Sequence, residues 1–361
     1  MKILHVAYFG RFGKVTGIGE AVMNLVHHQQ ELGHQVQILI PFNHPFVDKV
    51  TVHYARSFSH AIANIKRFSP DIVVFDGLYD KYQIRLSFYL KVKHIPYILV
   101  FHGGASADNA KKNWIKKKVA NWLLFNRFVK WAERVVYLSA NERAKSVFTR
   151  QNSMSAIIPN GVNLPENITM GDMADRIRIV FLSRLDWYGK GLDVLCDAMK
   201  LLSQKKIDDK VQFVFYGPKE SAECERLFDF GNFSIYGGYV TGEEKNKAFQ
   251  NADIFILPSR SEGMPVAVLE ALSYGVPCIV TPETNMAELV ENNHCGWVVY
   301  LSATDICNTI EKIIVQFSCE REHLFKNAIA TAQLFDWREV AKKSIRMYEE
   351  VIVSKKGYGN G

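Results

Sequence analysis

Little in this sequence could cross-link the chain or hold a soft metal. Its six cysteines stand at 196, 224, 278, 295, 307 and 319; none lies in the first half, and no two form a CxxC pair. A structural zinc site needs close-set ligands, and a disulfide scaffold suits small secreted chains, so buried inert thiols are expected. Long apolar runs are also missing, with nothing near the ~20 residues that cross a bilayer. The opening MKILHVAYFG enters directly into a strand-like pattern. It has no charged start, apolar stretch and small-residue cleavage site, and the expected location is the cytoplasm. No low-complexity tract or internal repeat stands out. Acidic residues are scarce at one end only. Through Pro165 there are 22 Lys and Arg against 9 Asp and Glu, a balance of +13, and the remainder carries −6 within the net +7. Such asymmetry suits a first half that faces a membrane surface, a phosphorylated lipid or nucleic acid; a solvated basic surface accounts for it equally.

What is present is an alternation of short apolar runs and helical stretches over 361 residues, more than one ordinary core needs. Strands are expected at 2–8, 35–41, 71–77, 96–104, 134–139 and 155–162, with a helix near 18–32 that Gly33 ends. The pattern restarts with strands at 178–185, 211–218, 233–240, 252–259 and 276–282, and helices near 190–205, 243–250 and 265–274. Residues 163–176 read as a linker, and DWREVAKK opens a last polar amphipathic helix. Buried strands alternating with helices imply parallel sheets covered on both faces. Ligands in such folds lie beyond the carboxyl ends of the strands, so the loops after each strand are where functional residues are sought.

The strongest local signal is SRSEGMPVAVLEALSYGVP at 259–277, which follows the strand ADIFILP. Pro265 suits a first helical turn, and Gly275 suits a left-handed helix end. Glu262 falls in the loop and Glu270 in the second turn of the helix, while the helix start offers free N–H groups to a diphosphate. Arg184 and Lys190 flank the loop after IVFLS, and two cations there would stabilise a departing nucleoside diphosphate without a metal. His102 ends the strand YILVF ahead of two glycines. A lone histidine is commonly a packed residue, but a strand end is a functional position. GKVTGIGEA at 13–21 lacks a full G-x-G-x-x-G, which makes it a poor dinucleotide signal.

Taken together these motifs resemble the retaining glycosyltransferases of group 1, or family 4, whose glutamates are separated by seven residues as in EGMPVAVLE. The resemblance runs through TGIGEAV, FHGG, PNGV, SRLDWYGKGLDVL, YGP, GGYV and the tryptophan-bearing last helix. It implies an α/β GT-B fold of two facing Rossmann-like domains. An acceptor-binding domain would occupy 1–165 and a nucleotide-sugar domain 166–335, with a helix at 336–361 crossing back to the first. It implies that Arg184 and Lys190 hold the diphosphate and that His102 contacts the donor sugar. Glu262 would bind sugar hydroxyls near the anomeric centre, and Glu270 the ribose hydroxyls. Gly17, Gly19 and Gly217 would let backbone approach the donor. Gly263, Met264 and Pro265 line the same loop. In TPETNMAELV the backbone amides of Asn285 and Met286 would touch diphosphate and sugar, although Thr284-Asn285 replaces a common pair of glycines. The chain also has one residue more between Arg184 and Lys190 than the family often has.

No DxD motif is present, and neither a divalent ion nor another cofactor is expected. KKNWIKKKVANWLLFNRFVKWAER at 111–134 carries seven basic residues before Glu133 with Trp114, Trp122 and Trp131. An amphipathic basic helix of this kind suits a membrane interface, and it suits a core helix on composition alone. The positive first half favours peripheral contact at the inner face of the plasma membrane, and with it a lipid-linked acceptor. No nucleic-acid motif accompanies the patch. The expected activity is therefore metal-independent transfer, with retention, from a nucleotide-diphosphate sugar, UDP being the commonest base, to a glycan or lipid-linked acceptor. The alternatives are a nucleotide-sugar epimerase or a phosphorylase on the same fold, or a non-catalytic sugar-nucleotide-binding protein.

Overall fold

In a computed structural model of the chain, residues 1–7, 17–40, 52–55, 57–78, 80–104, 125–148, 152, 154–172, 174–207 and 209–358 are described, side chains to 355. They divide into two compact units, 1–161 with 337–361, and 162–336. The sequence places its boundaries at 165/166 and 335/336; the segment read as a linker belongs to the second unit.

The first unit holds a seven-stranded sheet. Its strands are β1 (Lys2–Ala7), β2 (Gln35–Ile40), β3 (Val52–Tyr54), β4 (Ile72–Asp76), β5 (Tyr97–Val100), β6 (Arg134–Tyr137) and β7 (Ser155–Ile157). They run in the order β3-β2-β1-β4-β5-β6-β7, and every pairing is parallel. Runs such as IVVFD and YILV are buried throughout because helices cover both sheet faces. The helices are α1 (Gly17–Glu31), α2 (Phe58–Phe68), α3 (Lys81–Val92), α4 (Asn126–Trp131) and α5 (Ala140–Lys145). Local chemistry sets their starts: Ser57, Asp80 and Ser139 accept from the backbone N–H of His60, Tyr82 and Glu142. Phe75 meets both Tyr97 and Phe128 edge-on, ring centroids 5.3 Å apart, at the centre of the core.

The second unit repeats the plan with six strands: β8 (Ile177–Leu182), β9 (Val211–Tyr216), β10 (Ser234–Gly238), β11 (Ile254–Leu257), β12 (Cys278–Val280) and β13 (Gly296–Val298). Their order is β10-β9-β8-β11-β12-β13, again all parallel. Its helices are α6 (Leu192–Gln204), α7 (Gly242–Gln250), α8 (Val266–Ser273), α9 (Ala287–Asn292) and α10 (Ala303–Gln333). The last helix, α11 (Trp337–Tyr358), packs in the first unit, where the side-chain N–H of Gln29 on α1 donates to Ser344 Oγ at 2.9 Å. Trp337 lies against Gly161 so closely that a Cβ there would sit 2.4 Å from the indole.

Several elements depart from the sequence reading. The run at 155–162 is strand only to Ile157, and the Ile158 N–H makes the last bond to β6, at Tyr137 O. Gly17 and Gly19 belong to the first turn of α1 rather than to a turn before it, and neither has a positive φ. Pro265 is the cap residue of α8, with extended backbone, not a residue of its first turn. Gly275 does take the left-handed conformation after α8. Of the segment at 111–134, residues 111–124 lie outside the described ones.

Candidate active site

In each sheet one central strand is flanked by strands reached from it in opposite directions, and the loops beyond such a point form a natural ligand crevice. In the second unit the point lies between β8 and β11. The loop after β8 carries Arg184 and Lys190, and the loop after β11 carries Glu262. Lys190 Nζ donates to Glu262 Oε1 at 2.5 Å, with the two side chains 14% and 15% exposed. Ser259 Oγ donates to the same oxygen at 2.7 Å. The extra residue of the 186–190 loop does not keep Lys190 away.

Neighbouring loops fix the Glu262 backbone. Its N–H donates to Glu283 O at 3.0 Å, and Asn285 Nδ2 donates to the carbonyls of Glu262 and Gly263 at 2.7 and 3.0 Å. Asn285 does this from a left-handed backbone, φ 59°. The expected role of the Met286 amide meets a competing partner, since its N–H donates to Thr284 Oγ1 at 3.2 Å; the Met286 and Met264 side chains are buried. Glu270, on α8, accepts from Lys245 Nζ of α7 at 2.6 Å, both side chains mostly covered. Arg184 is held otherwise. It pairs with Glu220 at 2.5 Å where both are largely exposed, an arrangement of small net energy that a stronger anion can displace. Gly217, where β9 ends, has φ 135°, and a Cβ would lie 1.8 Å from Ser183 O, so the strand ends pass this closely only with glycine.

The first unit brings together a second set. His102 follows β5 in the left-handed region, φ 48°. Its Nε2 lies 3.1 Å from Asp76 Oδ1, at the end of β4. Asp76 Oδ2 lies 2.8 Å from His5 Nδ1 on β1, and His5 Nε2 lies 3.1 Å from Gln29 Oε1. Ser344 Oγ gives its proton to Ala341 O, so Gln29 must donate to Ser344 and present its carbonyl to His5. Both nitrogens of His5 thus face acceptors. Burial alone would raise the Asp76 carboxyl, but the His5 charge and the hydrogen bonds from His102 and His5 outweigh it and hold the group below the usual carboxylate range. Glu142 clamps the backbone beside His102: its oxygens accept from Gly103 N and Leu138 N, each at 2.6 Å, while burial pushes its carboxyl up. A cavity next to the network is lined by Asp76, His102, Asn160, Trp337, Ser344 and Tyr348.

Sequence reasoning missed Asp76, His5 and Lys245. Asp76 had a signal, an acidic residue ending a buried strand before Gly77; His5 had none, being one polar residue within an apolar run. Among the described residues no cluster of His, Cys, Asp and Glu could hold a metal ion.

Two parallel-sheet α/β units in this order are the fold of the GT-B glycosyltransferases, as solved structures show. Sucrose-phosphate synthase from Thermosynechococcus elongatus aligns with a TM-score of 0.78 at 16% identity, over 98% of this chain and 99% of that one. The HepE protein of Anabaena, solved with UDP and glucose, aligns at 0.74 and 15% identity over 97% and 100%. The model of glycosyl transferases group 1 matches residues 176–316, and that of glycosyltransferase family 4 matches 15–166. The chain belongs to this group 1 and family 4 of glycosyltransferases.

Among similar proteins, an N,N'-diacetylbacillosaminyl-diphospho-undecaprenol alpha-1,3-N-acetylgalactosaminyltransferase of Campylobacter jejuni is 29% identical over 48% of this chain and 45% of its own length. An amylovoran biosynthesis glycosyltransferase of Erwinia amylovora is 27% identical over 65% and 59%. The chain thus spans about half the length of the curated relatives it matches.

Proposed function

We propose that the protein transfers a sugar from a nucleotide-diphosphate donor to a glycan or lipid-linked acceptor in polysaccharide or glycolipid assembly. The observation that carries this is the Lys190–Glu262 pair at the strand reversal of the second unit, 2.5 Å apart and mostly covered. On this reading the lysine is the cation for a departing diphosphate, the glutamate beside it serves the sugar, and the second unit binds the donor. Lys190 and Arg184 neutralise the charge that grows as the sugar–phosphate bond breaks, and such groups act most where water is excluded. Glu262 accepts from sugar hydroxyls and faces the positive charge that develops on the ring. Glu270, steadied by Lys245, accepts from the ribose hydroxyls.

The first unit binds the acceptor on the same reading, and His102 contacts the donor sugar, oriented by Asp76. Transfer proceeds with retention: the bond from the anomeric carbon to the diphosphate breaks, the acceptor oxygen attacks the same face, and a leaving phosphate oxygen takes its proton. Lys190 and Arg184 do what a metal does elsewhere, so no divalent ion is needed. UDP is the favoured nucleotide, as in the Anabaena structure. Of the segment expected to touch a membrane, α4 shows Arg127 and Lys130 exposed over buried Phe128 and Val129, and exposed Phe88 meets Trp131 edge-on at 5.0 Å. Phe128 and Val129 pack into the core with Trp131 against them, so the proposed peripheral contact with an anionic bilayer, at the cytoplasmic face of the plasma membrane, rests on the exposed basic residues of this half. Among the described residues no helix is long and apolar enough to cross one.

Calorimetric titration with UDP, and with GDP for comparison, tests the donor half of the reading. One of the two should bind with EDTA present and lose affinity in Lys190→Ala. Binding of neither, or binding indifferent to Lys190→Ala, would overturn it.

A further inference from the structure

The loop that brings Lys190 to Glu262 is anchored at Leu185 and Trp187, which meets Arg226, but its tip, Tyr188, is 63% exposed. One side chain from the facing loop holds it. Arg260 donates through both terminal nitrogens to Asp193, at 2.7 and 2.8 Å, in the first turn of α6. The same guanidinium donates to the Tyr188 carbonyl and lies 3.9 Å from the centroid of the Tyr188 ring. Its backbone N–H donates to Gly189 O at 3.0 Å. Arg260 therefore meets Tyr188 and Gly189, the two residues before Lys190, as well as the helix start, and it stands two positions before Glu262. The loop closes on itself too. Gly189 N–H donates to Asp186 Oδ1 at 2.9 Å, and Lys190 N–H donates to Asp186 O at 3.1 Å. Gly191 passes where a Cβ would lie 2.0 Å from Pro258 O.

We propose that Arg260 is a positioning residue: its fork on Asp193 and its stack on Tyr188 lock the 186–190 loop to the 259–262 loop, so that Lys190 and Glu262 meet the donor as a preset pair. The proposal rests on the reading that these two residues serve the donor. A planar fork with five fixed donors suits this task, and an ammonium cannot replace it, because it supplies a point charge without the second bond or the stacking plane. Preset geometry should show in the chemical step more than in binding, since a small misplacement of a catalytic cation costs rate.

The test is steady-state nucleotide release from UDP-glucose, UDP-galactose and UDP-N-acetylglucosamine by the full chain, on whichever sugar nucleotide the wild type turns over. Arg260→Ala should lower kcat about tenfold or more while the donor KM changes less than about threefold. Arg260→Lys should be as impaired as Arg260→Ala, and Asp193→Asn, of nearly unchanged size, should show the same split. A double variant, Arg260→Ala with Asp193→Asn, should be no worse than Arg260→Ala alone, because Asp193 acts through its fork with Arg260. Wild-type kcat in Arg260→Ala, full rescue by Arg260→Lys, or additive losses in the double variant would overturn the proposal. Lys190→Ala, run beside them, separates the two ideas. Its inactivity with unaffected Arg260 variants refutes the positioning role alone, whereas its full activity refutes the donor reading beneath it.

Discussion

Lys190 and Glu262, 72 positions apart in sequence, form a 2.5 Å ion pair with each side chain about 15% exposed. On the proposed reading a donor exchanges partners there, the phosphate taking the cation and a sugar hydroxyl meeting the carboxylate. Lys190→Ala should therefore lower kcat for nucleotide release by about 10²-fold or more, the usual scale for removing one donor to developing charge. Glu262→Gln, which keeps shape and loses charge, should fall on kcat as well. Initial rates of nucleotide release check both.

Glu270 is expected to act on binding. If it accepts from ribose hydroxyls, Glu270→Ala should raise donor KM about tenfold, close to 1.4 kcal/mol, with a smaller change in kcat. A 2′-deoxy donor, which lacks one of those hydroxyls, should bind the wild type more weakly and distinguish less between wild type and Glu270→Ala. Lys245→Ala should reproduce part of this effect, since Lys245 Nζ holds Glu270 Oε1 at 2.6 Å.

The buried Asp76 carboxylate links stability to pH. Its carboxyl lies below the ordinary value of 3.8 in the folded chain, through the His5 charge and two histidine hydrogen bonds that overcome burial. A lowered carboxyl contributes stability that is fully present above the unfolded pKa and is lost as pH falls through the folded one. Asp76→Asn should cost about 1–3 kcal/mol at neutral pH, and the gap between variant and wild type should shrink as pH falls below about 4. Denaturant melts at a series of pH values measure that gap.

Gly217 offers a test of the backbone that carries the site. With φ 135° and Ser183 O only 1.8 Å from an added Cβ, Gly217→Ala must shift one strand end or the other. The expected loss is about 2–4 kcal/mol, read from the urea midpoint at unchanged slope.

Much of this was legible beforehand where a local rule decides the structure. Fully apolar runs such as YILV gave the strands, Gly275 marked the end of α8, and the FHGG turn marked where β5 ends, at His102. What escaped depended on tertiary partners. β3 and β13, three half-buried residues each, have too short a run to show a period. α10 mixes its apolar face with many charges and received no element from the sequence. Pro265 satisfies the rule for a first helical turn, yet its extended backbone makes it the cap, which no local rule favours. Glu262 and Glu270 were found as a spaced pair, yet their lysine partners lie 72 and 25 positions away, where no spacing rule reaches. Arg184 was read with Lys190, and its exposed pairing with Glu220, 36 positions away, is again beyond any spacing rule.

The most direct measurement is nucleotide release by the purified chain from UDP-glucose, UDP-galactose, UDP-N-acetylglucosamine and GDP-mannose, with EDTA and with added magnesium, beside Lys190→Ala and Glu270→Ala. The account predicts slow release from one donor, the same with and without EDTA and impaired in both variants. Release that requires the metal, or conversion of one donor sugar into another without any free nucleotide, would contradict it.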